Sequence, residues 1–465
     1  MKSLHLKLVV FPIWLFFCSG AFAADVVTWL KPVAEGWSVK PLLNVGDAVG
    51  SSAYRMVGVP DGLGAMDNGD GTLTILMNHE LGKDQGKNRR HFGRGAFVSR
   101  WVLDVASLKL TKGEDQMRKV SLWLADEKKY VNAPAYSFNR LCSADLPALS
   151  ALYDAASGKG FNGRLFMNGE EDRDGGRAFA HVVSGEQQGI SYELPHLGKF
   201  AWENAVANPA TGIQTVVMGM DDSPGGQVYM YVGEKGHAGN PVEQAGLVGG
   251  DLYGIKVDGK RFGFVKFGDV AAMTGDELEK AGQKMGITNF MRPEDGSWDA
   301  NNPKIFYFAT TDKIDGSSQL FQLTFDDLSH PENGGVIKVV LNARDIGAQM
   351  FDNITVSSDG SLLVEEDPGD NPHVASIWQF DPKTGKAIKV AKVAPEAFLD
   401  KTSPAFLTQD EENSGIIEVT DLVKNASWFE VGKRYYLGTL QVHAKSKDPE
   451  LVEDGQLYLL SGPAL

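Results

Sequence analysis

Cysteine is almost absent from this chain: 465 residues contain two, Cys18 and Cys142. Cys18 falls in a leader-like start. Lys2 and Lys7 precede or flank an apolar run from Leu8 to Phe17, and Ala21-Phe22-Ala23 forms an A-x-A cleavage site. Removal of residues 1–23 leaves Cys142 alone, which excludes an intramolecular disulfide, an unusual state for an exported chain. Long hydrophobic runs are lacking too. The leader run is too short to span a bilayer, and no later stretch approaches about 18 uninterrupted apolar residues. We therefore expect a soluble periplasmic or secreted protein with no integral membrane segment.

Other absences narrow the chemistry. There is no Gly-x-Ser-x-Gly, no Walker loop, no His-Glu-x-x-His and no Cys-x-x-Cys. Nine histidines occur, eight after processing, and none pairs with another at a metal-ligand spacing. Basic charge is in deficit, with 45 Lys+Arg against 60 Asp+Glu and a formal charge of −15. Loss of Lys2 and Lys7 makes the mature chain more acidic still. That balance opposes nucleic acid or anionic membrane as a partner and suits a protein holding divalent cations. No Pro/Ser-rich linker or composition shift divides residues 24–465, so one domain is expected.

What is present is a repeated unit. In Asp352 to Asp367 two short apolar runs are joined by Ser357-Ser358-Asp359-Gly360, a hairpin signal. Asp352 and Asn353 open the first run, and Glu365, Glu366 and Asp367 close the second, so a hairpin brings both sets to one end. Four further stretches follow the same rule of turn, short apolar strand and polar far end. They are 70–77 leading to Asn78-His79-Glu80, 162–167 to Asn168-Gly169-Glu170-Glu171-Asp172, 212–218 to Gly219-Met220-Asp221-Asp222, and 301–308 to Ala309-Thr310-Thr311-Asp312. Diverged β-repeats with similar strand ends predict an all-β fold, a β-propeller most simply of six blades with helical loop insertions. The acidic ends would then meet around one axis, as a hard cation requires.

Outside the repeats, Trp29 to Asp47 is aperiodic and reads as an entry strap. Lys83 to Arg94 reads as an exposed basic loop. A short helix is expected within Ala144 to Ala156, with Asp145-Leu146-Pro147 as its first turn, and a clearer one over Asp276 to Met285. Met291-Arg292-Pro293-Glu294-Asp295-Gly296 is the sharpest local cluster, because proline restrains both its own φ and the residue before it. An arginine fork beside a carboxylate can hold an anion opposite a metal. Trp202-Glu203-Asn204 and Asp410 to Gly415 read either as ligand loops or as solvated turns.

Taken in order, several of these motifs resemble the PhoX-type alkaline phosphatases, calcium- and iron-containing β-propellers. The resembling residues are Asn78-His79-Glu80, Arg140-Leu141-Cys142-Ser143, Met167 to Glu171, Phe200 to Ala205, Val217 to Asp222 and Arg292-Pro293-Glu294. The resemblance implies a monomeric phosphomonoesterase acting on a small phosphorylated substrate with calcium and iron as cofactors. Cys142 would be the iron thiolate, Glu203 and Glu294 iron carboxylates, Glu171 and Asp222 calcium or bridging ligands, and Arg292 the catalytic phosphate clamp. Glu80, Asp352 and Asn353 would complete the metal set, with Asn78 beside the substrate. The chain departs from the pattern in lacking twin arginines in its leader. It also has Met350-Phe351-Asp352-Asn353 where a second phosphate-binding arginine is expected. The Asp352-Asn353 pair alternatively looks like the calcium-dependent lactonase and phosphotriesterase propellers, with Glu80 or Glu171 as partners. A third reading is a calcium-stabilised, non-catalytic binding propeller.

Overall fold

The computed structural model describes residues 28–465, so the leader read over residues 1–23 lies outside the described residues. The chain winds into six blades about one axis, antiparallel throughout except for one pair, Ile190–Glu193 running parallel to Lys119–Leu124. Their innermost strands are Pro60–Asp67, Leu141–Asp145, Trp202–Ala207, Pro293–Trp298, Phe351–Val356 and Glu411–Glu418, for blades 1 to 6. Each packs against the next, and that of blade 6 packs against that of blade 1, closing the ring. The second strands are Thr72–His79, Leu165–Glu170, Gln214–Asp221, Ile305–Thr310, Leu362–Glu366 and Lys433–Val442. Nearly every residue in the second strands of blades 1, 2, 3 and 5 is buried, because a neighbouring blade covers each face. That two-sided burial is why these stretches read as continuous apolar runs rather than alternating ones.

The expected repeat is therefore present, with one correction. The strand that it detects is the second of each blade, not the axis-lining one, except in 352–367, which spans both. The hairpin turns are built as the sequence suggests. Between the first two strands of blade 1, Gly69 and Gly71 take φ of 77° and 85°, with Asn68 N–H donating to the Thr72 carbonyl at 3.0 Å.

The strap reading of Trp29 to Asp47 is overturned. Leu30–Pro32 pairs with Lys386–Val393 as a fifth strand of blade 5, and Ser38–Asn44 pairs with Asp454–Pro463 as the outer strand of blade 6. The amino-terminal segment thus completes a blade whose other three strands are carboxy-terminal, which ties the ring shut. Its pattern reads as irregular because Ser38–Asn44 is an edge strand, paired on one side only and interrupted by a register shift after Pro41. The helix over Asp276 to Met285 is present as Gly275–Met285, capped by Thr274 and Glu277 in a reciprocal capping box. The helix expected within Ala144 to Ala156 shrinks to Leu149–Leu152, because Leu141–Asp145 is already the innermost strand of blade 2. In the Lys83 to Arg94 loop, Arg89 and His91 are buried, the Arg89 guanidinium lying 4.0 Å above the Phe97 ring. Among the described residues no helix is long and apolar enough to cross a membrane.

Candidate active site

All six innermost strands break register near their entry. The shifts fall between Pro60 and Leu63, Leu141 and Ala144, Trp202 and Ala205, Pro293 and Gly296, Phe351 and Ile354, and Asn413 and Ile416. A bulge puts two consecutive residues opposite one and re-aims their side chains. In the first five blades the two residues are Asp61-Gly62, Cys142-Ser143, Glu203-Asn204, Glu294-Asp295 and Asp352-Asn353. In blade 6 the shift comes slightly later, and Glu412-Asn413 stands at its head. Asp61, Cys142, Glu203, Glu294, Asp352 and Glu412 form an inner circle of potential ligands.

A second circle comes from the residue just past each second strand: Glu80, Glu171, Asp222, Thr311, Asp367 and His443. Each sends its backbone N–H to the carbonyl two residues before the inner-circle position of its own blade. The acceptors are Val59, Arg140, Ala201, Arg292, Met350 and Asp410, at 2.8–3.1 Å. Four of those acceptor residues adopt left-handed backbone, Val59 at φ 51°, Arg140 at 47°, Arg292 at 58° and Met350 at 44°. Repeated strain at one structural position, including a β-branched valine, marks a turn held by its surroundings.

The two circles interlock. Potential ligand atoms of Asp61, Glu80 and Cys142 lie within 4.8 Å of one another, as do those of Cys142, Glu171 and Glu203. So do those of Glu203, Glu294 and Asp352, and of Asp352, Asp367 and Glu412. Cys142, Glu203 and Asp352 are each shared, so the four groups form one chain around most of the axis. At the remaining junction, the Gln441 amide nitrogen donates to Asp61 Oδ2 at 2.9 Å, Glu80 Oε2 at 3.0 Å and Glu412 Oε1 at 3.3 Å.

These acids are poorly compensated. Burial, reinforced by neighbouring carboxylates, pushes Asp61, Glu203, Glu294 and Asp352 well above the ordinary range. Burial likewise raises Glu171, with Arg140 pulling against it, and raises the Cys142 thiol, with Asp61 and Glu203 adding to the effect. Glu80 is the exception: burial works against it, but Arg140 and the Gln441 amide hold it below its usual value. For His443, burial alone would lower the imidazole, yet the Glu412 carboxylate 3.8 Å away and a hydrogen bond to Glu453 at 2.7 Å raise it to about 11. Asp61 Oδ1, Glu294 Oε1, Asp352 Oδ1 and Asn353 Oδ1 are buried without a hydrogen-bond partner. Solvent-shielded carboxylate and amide oxygens without hydrogen bonds, gathered about one axis, are the donor set of a cation site, so these residues fit a metal cluster.

Two arginines occupy the same position in the repeat. Arg292 Nε and Nη2 grip Asp222 in a fork, both at 2.7 Å, and Nη2 stands 3.5 Å from Glu294 Oε1. Arg140 Nε donates to Glu80 at 2.8 Å and its Nη2 reaches Glu171 at 2.6 Å. Arg140 was visible in the sequence as part of Arg140-Leu141-Cys142-Ser143 but was not read as a clamp. The arginine looked for at Met350 thus has a counterpart three blades away, across the ring. Glu80, Arg140, Asp367, Glu412 and His443 line a cavity of about 450 Å³ at the mouth.

Two expected roles change on this geometry. Asn78 is fully buried beneath Cys142, its amide donating to the Cys142 carbonyl at 2.6 Å, so it does not face a substrate. Asp222 belongs to none of the four ligand groups, because Arg292 occupies its carboxylate. Glu294 lies two blades round from Cys142, grouped with Glu203 and Asp352 and not with the thiol. Asp61, Asp367 and Glu412 join the site without having been singled out individually. Asp410 to Gly415 is not a turn; its Glu411 to Gly415 part begins an innermost strand.

Residues 184–413 match the family model for alkaline phosphatase PhoX. That match covers just under half of the chain and supports a PhoX-type alkaline phosphatase. The structure of Pseudomonas fluorescens PhoX in complex with vanadate superposes with a TM-score of 0.63 at 12% identity, covering 94% of this chain and 97% of that one. A glucose dehydrogenase superposes at 0.38 with 11% identity, covering 91% of this chain and 98% of its own. A putative 6-phosphogluconolactonase from Bacteroides uniformis superposes at 0.34 with 13% identity, covering 83% and 95%. A comparison with functionally curated proteins gives no match. The PhoX-type fold is a propeller, in agreement with the six blades described above.

Close packing of adjacent bulges gives one prediction of its own. A Cβ on Gly62 would lie 2.4 Å from the Ala144 amide nitrogen and 2.5 Å from the Ser143 carbonyl carbon, both backbone atoms. Gly62→Ala must therefore push blade 1 from blade 2 beside Cys142. Its cost should be about 1–3 kcal/mol, measurable by denaturant unfolding. An unchanged midpoint would show that the two innermost strands are not in contact there.

Proposed function

We propose that this chain hydrolyses small phosphomonoesters at a metal cluster on the propeller axis, outside the cytoplasm and as a monomer. The observation that carries the reading is the chain of four linked ligand groups, with orphaned carboxylate oxygens and one thiol among them. Thiolate and carboxylate together suit iron, so Cys142 with Glu171 and Glu203, and with Asp61 and Glu80, would hold it. The all-oxygen groups of Glu203, Glu294 and Asp352, and of Asp352, Asp367 and Glu412, suit calcium. Such ions, when bound, would neutralise the phosphate oxygens and activate the attacking oxygen.

The residues themselves supply binding and orientation. Arg292 Nη1 has no protein partner, while the fork to Asp222 fixes the plane of the guanidinium, so a free donor is presented in a set direction. Arg140 and the charged His443 face the mouth and would hold the remaining phosphate oxygens. The roles of Glu80 and Glu171 as ligands are then secured by Arg140, which touches both. The calcium-only lactonase-like reading has less support: Asp352 groups with Glu203, Glu294, Asp367 and Glu412, not with Glu80 or Glu171, and calcium has no use for a thiolate.

The test is elemental analysis after extensive buffer exchange, with turnover of p-nitrophenyl phosphate followed in parallel. Iron and calcium together are expected, with iron and activity both lost in Cys142→Ser while calcium remains. Calcium without iron, or full activity in Cys142→Ser, would overturn the thiolate assignment.

A further inference from the structure

A line of buried hydrogen bonds runs from the outer part of blade 2 to the backbone of Cys142, and its direction is forced. The Cys142 carbonyl can only accept, so the Asn78 amide must turn its Nδ2 inward, at 2.6 Å from that oxygen and 3.3 Å from the Ser143 carbonyl. Asn78 Oδ1 then faces outward and accepts from Asn168 Nδ2 at 2.8 Å. Asn168 Oδ1 in turn accepts from His181 Nε2 at 2.9 Å, which leaves His181 Nδ1 to accept from the Ser191 hydroxyl at 2.7 Å. Burial holds the His181 imidazole down to about 3, so it is neutral with its single proton on Nε2.

Every group on this line is almost wholly excluded from solvent, and Phe138, Phe166 and Phe179 lie around His181. Four side chains from four strands, in two blades, thus end on the one peptide unit whose bulge aims the thiol. A dry polar network is costly to assemble and rigid once satisfied.

We infer that Ser191, His181, Asn168 and Asn78 form a positioning relay for Cys142, holding the Cys142-Ser143 bulge so that Sγ faces Asp61, Glu171 and Glu203. This rests on the reading of Cys142 as a ligand.

The relay can be broken without changing volume. Asn78→Asp sets a carboxylate oxygen against two carbonyl oxygens, and Asn168→Asp sets one against Asn78 Oδ1. His181→Gln keeps an N–H donor for Asn168, whereas His181→Leu does not. In metal-stripped protein, Cys142 of Asn78→Asp, Asn168→Asp and His181→Leu should react with an aromatic disulfide reagent at least about fivefold faster than wild type, the factor for one buried hydrogen bond. His181→Gln should stay within about twofold. A distant core truncation, Leu323→Ala in blade 4, controls for general loosening. Equal reactivity in the relay variants and wild type, or an equal rise in Leu323→Ala, overturns the relay. On loading with ferric iron, the thiolate-to-iron absorption band should shift in Asn78→Asp. If wild type takes up no iron, the ligand reading fails, while the thiol rates still decide the relay.

Discussion

Stripped of its ions, the protein should be most stable in mild acid and should weaken steadily as pH rises towards 9. Burial raises Asp145, Glu170, Asp221 and Asp367 to about 7, Asp295 to about 6 and Glu411 to about 9, and lifts several inner-circle acids further. A carboxyl whose folded-state value exceeds its unfolded value keeps its proton in the native state after the unfolded chain has released it. Stability is therefore complete below the unfolded value, near 4, and is lost as pH climbs through the folded value. Each proton retained only by the folded state costs about 1.4 kcal/mol per pH unit in that window. His443, raised to about 11, slopes the same way, since its bound proton stabilises the fold less as pH passes its ordinary value. Several such groups act at once, so melting of the chelated protein should fall by roughly 10 °C or more between pH 6 and 9.

Cations reverse the sign. A metal takes the place of the protons, and because its ligands must be deprotonated, binding tightens as pH rises. The gain in melting temperature on adding calcium should thus be small at pH 6 and large at pH 9. Coincident melting curves at pH 9, with chelator and with calcium, would show that the axial acids are not compensated by ions. The four-group cluster would then be a set of protonated core carboxyls.

How much of this was legible without coordinates follows from what each strand is asked to do. Second strands are buried on both faces and end in a polar residue, so five of the six stand out as apolar runs with acidic ends. The sixth, Lys433–Val442, ends at His443 and breaks the rule, although it occupies the same place in the ring. Innermost strands are bulged and carry polar residues at their entry; Asp61-Gly62 and Glu412-Asn413 look like turns because the bulge demands the residues that turns demand. The site's membership was therefore half visible: Cys142, Glu171, Glu203 and Glu294 by resemblance, Asp352 and Asp367 from the hairpin that brings both to one end, Asp61 and Glu412 only through symmetry. Arg140 and Arg292 are equivalent by backbone conformation, a left-handed φ two residues before the inner circle, which no sequence pattern displays. Asn78 misled because a polar side chain at a strand end is as well suited to bonding a buried carbonyl as a substrate.

Arg292→Ala should abolish most turnover, lowering kcat/KM by about 10²- to 10³-fold, the usual effect of removing one preorganised donor to a developing charge. The loss has two sources that can be separated. On the proposed reading the side chain would present Nη1 to the phosphate, and it also neutralises Asp222, whose side chain is only 6% exposed. Without the fork, an uncompensated carboxylate remains next to Glu294, which destabilises the fold and repels a phosphate dianion. Arg292→Ala combined with Asp222→Asn removes that stranded charge. Stability and calcium content should then return to wild-type levels while turnover stays low, because no donor replaces Nη1. Arg292→Lys should also recover little, since an ammonium cannot hold Asp222 with two parallel bonds and still offer a directed third. Arg140→Ala acts on Glu80 and Glu171 instead, so it should reduce iron content as well as rate. Wild-type hydrolysis of p-nitrophenyl phosphate by the double variant would reduce Arg292 to a counter-ion for Asp222 and leave the phosphate to Arg140 and the cluster.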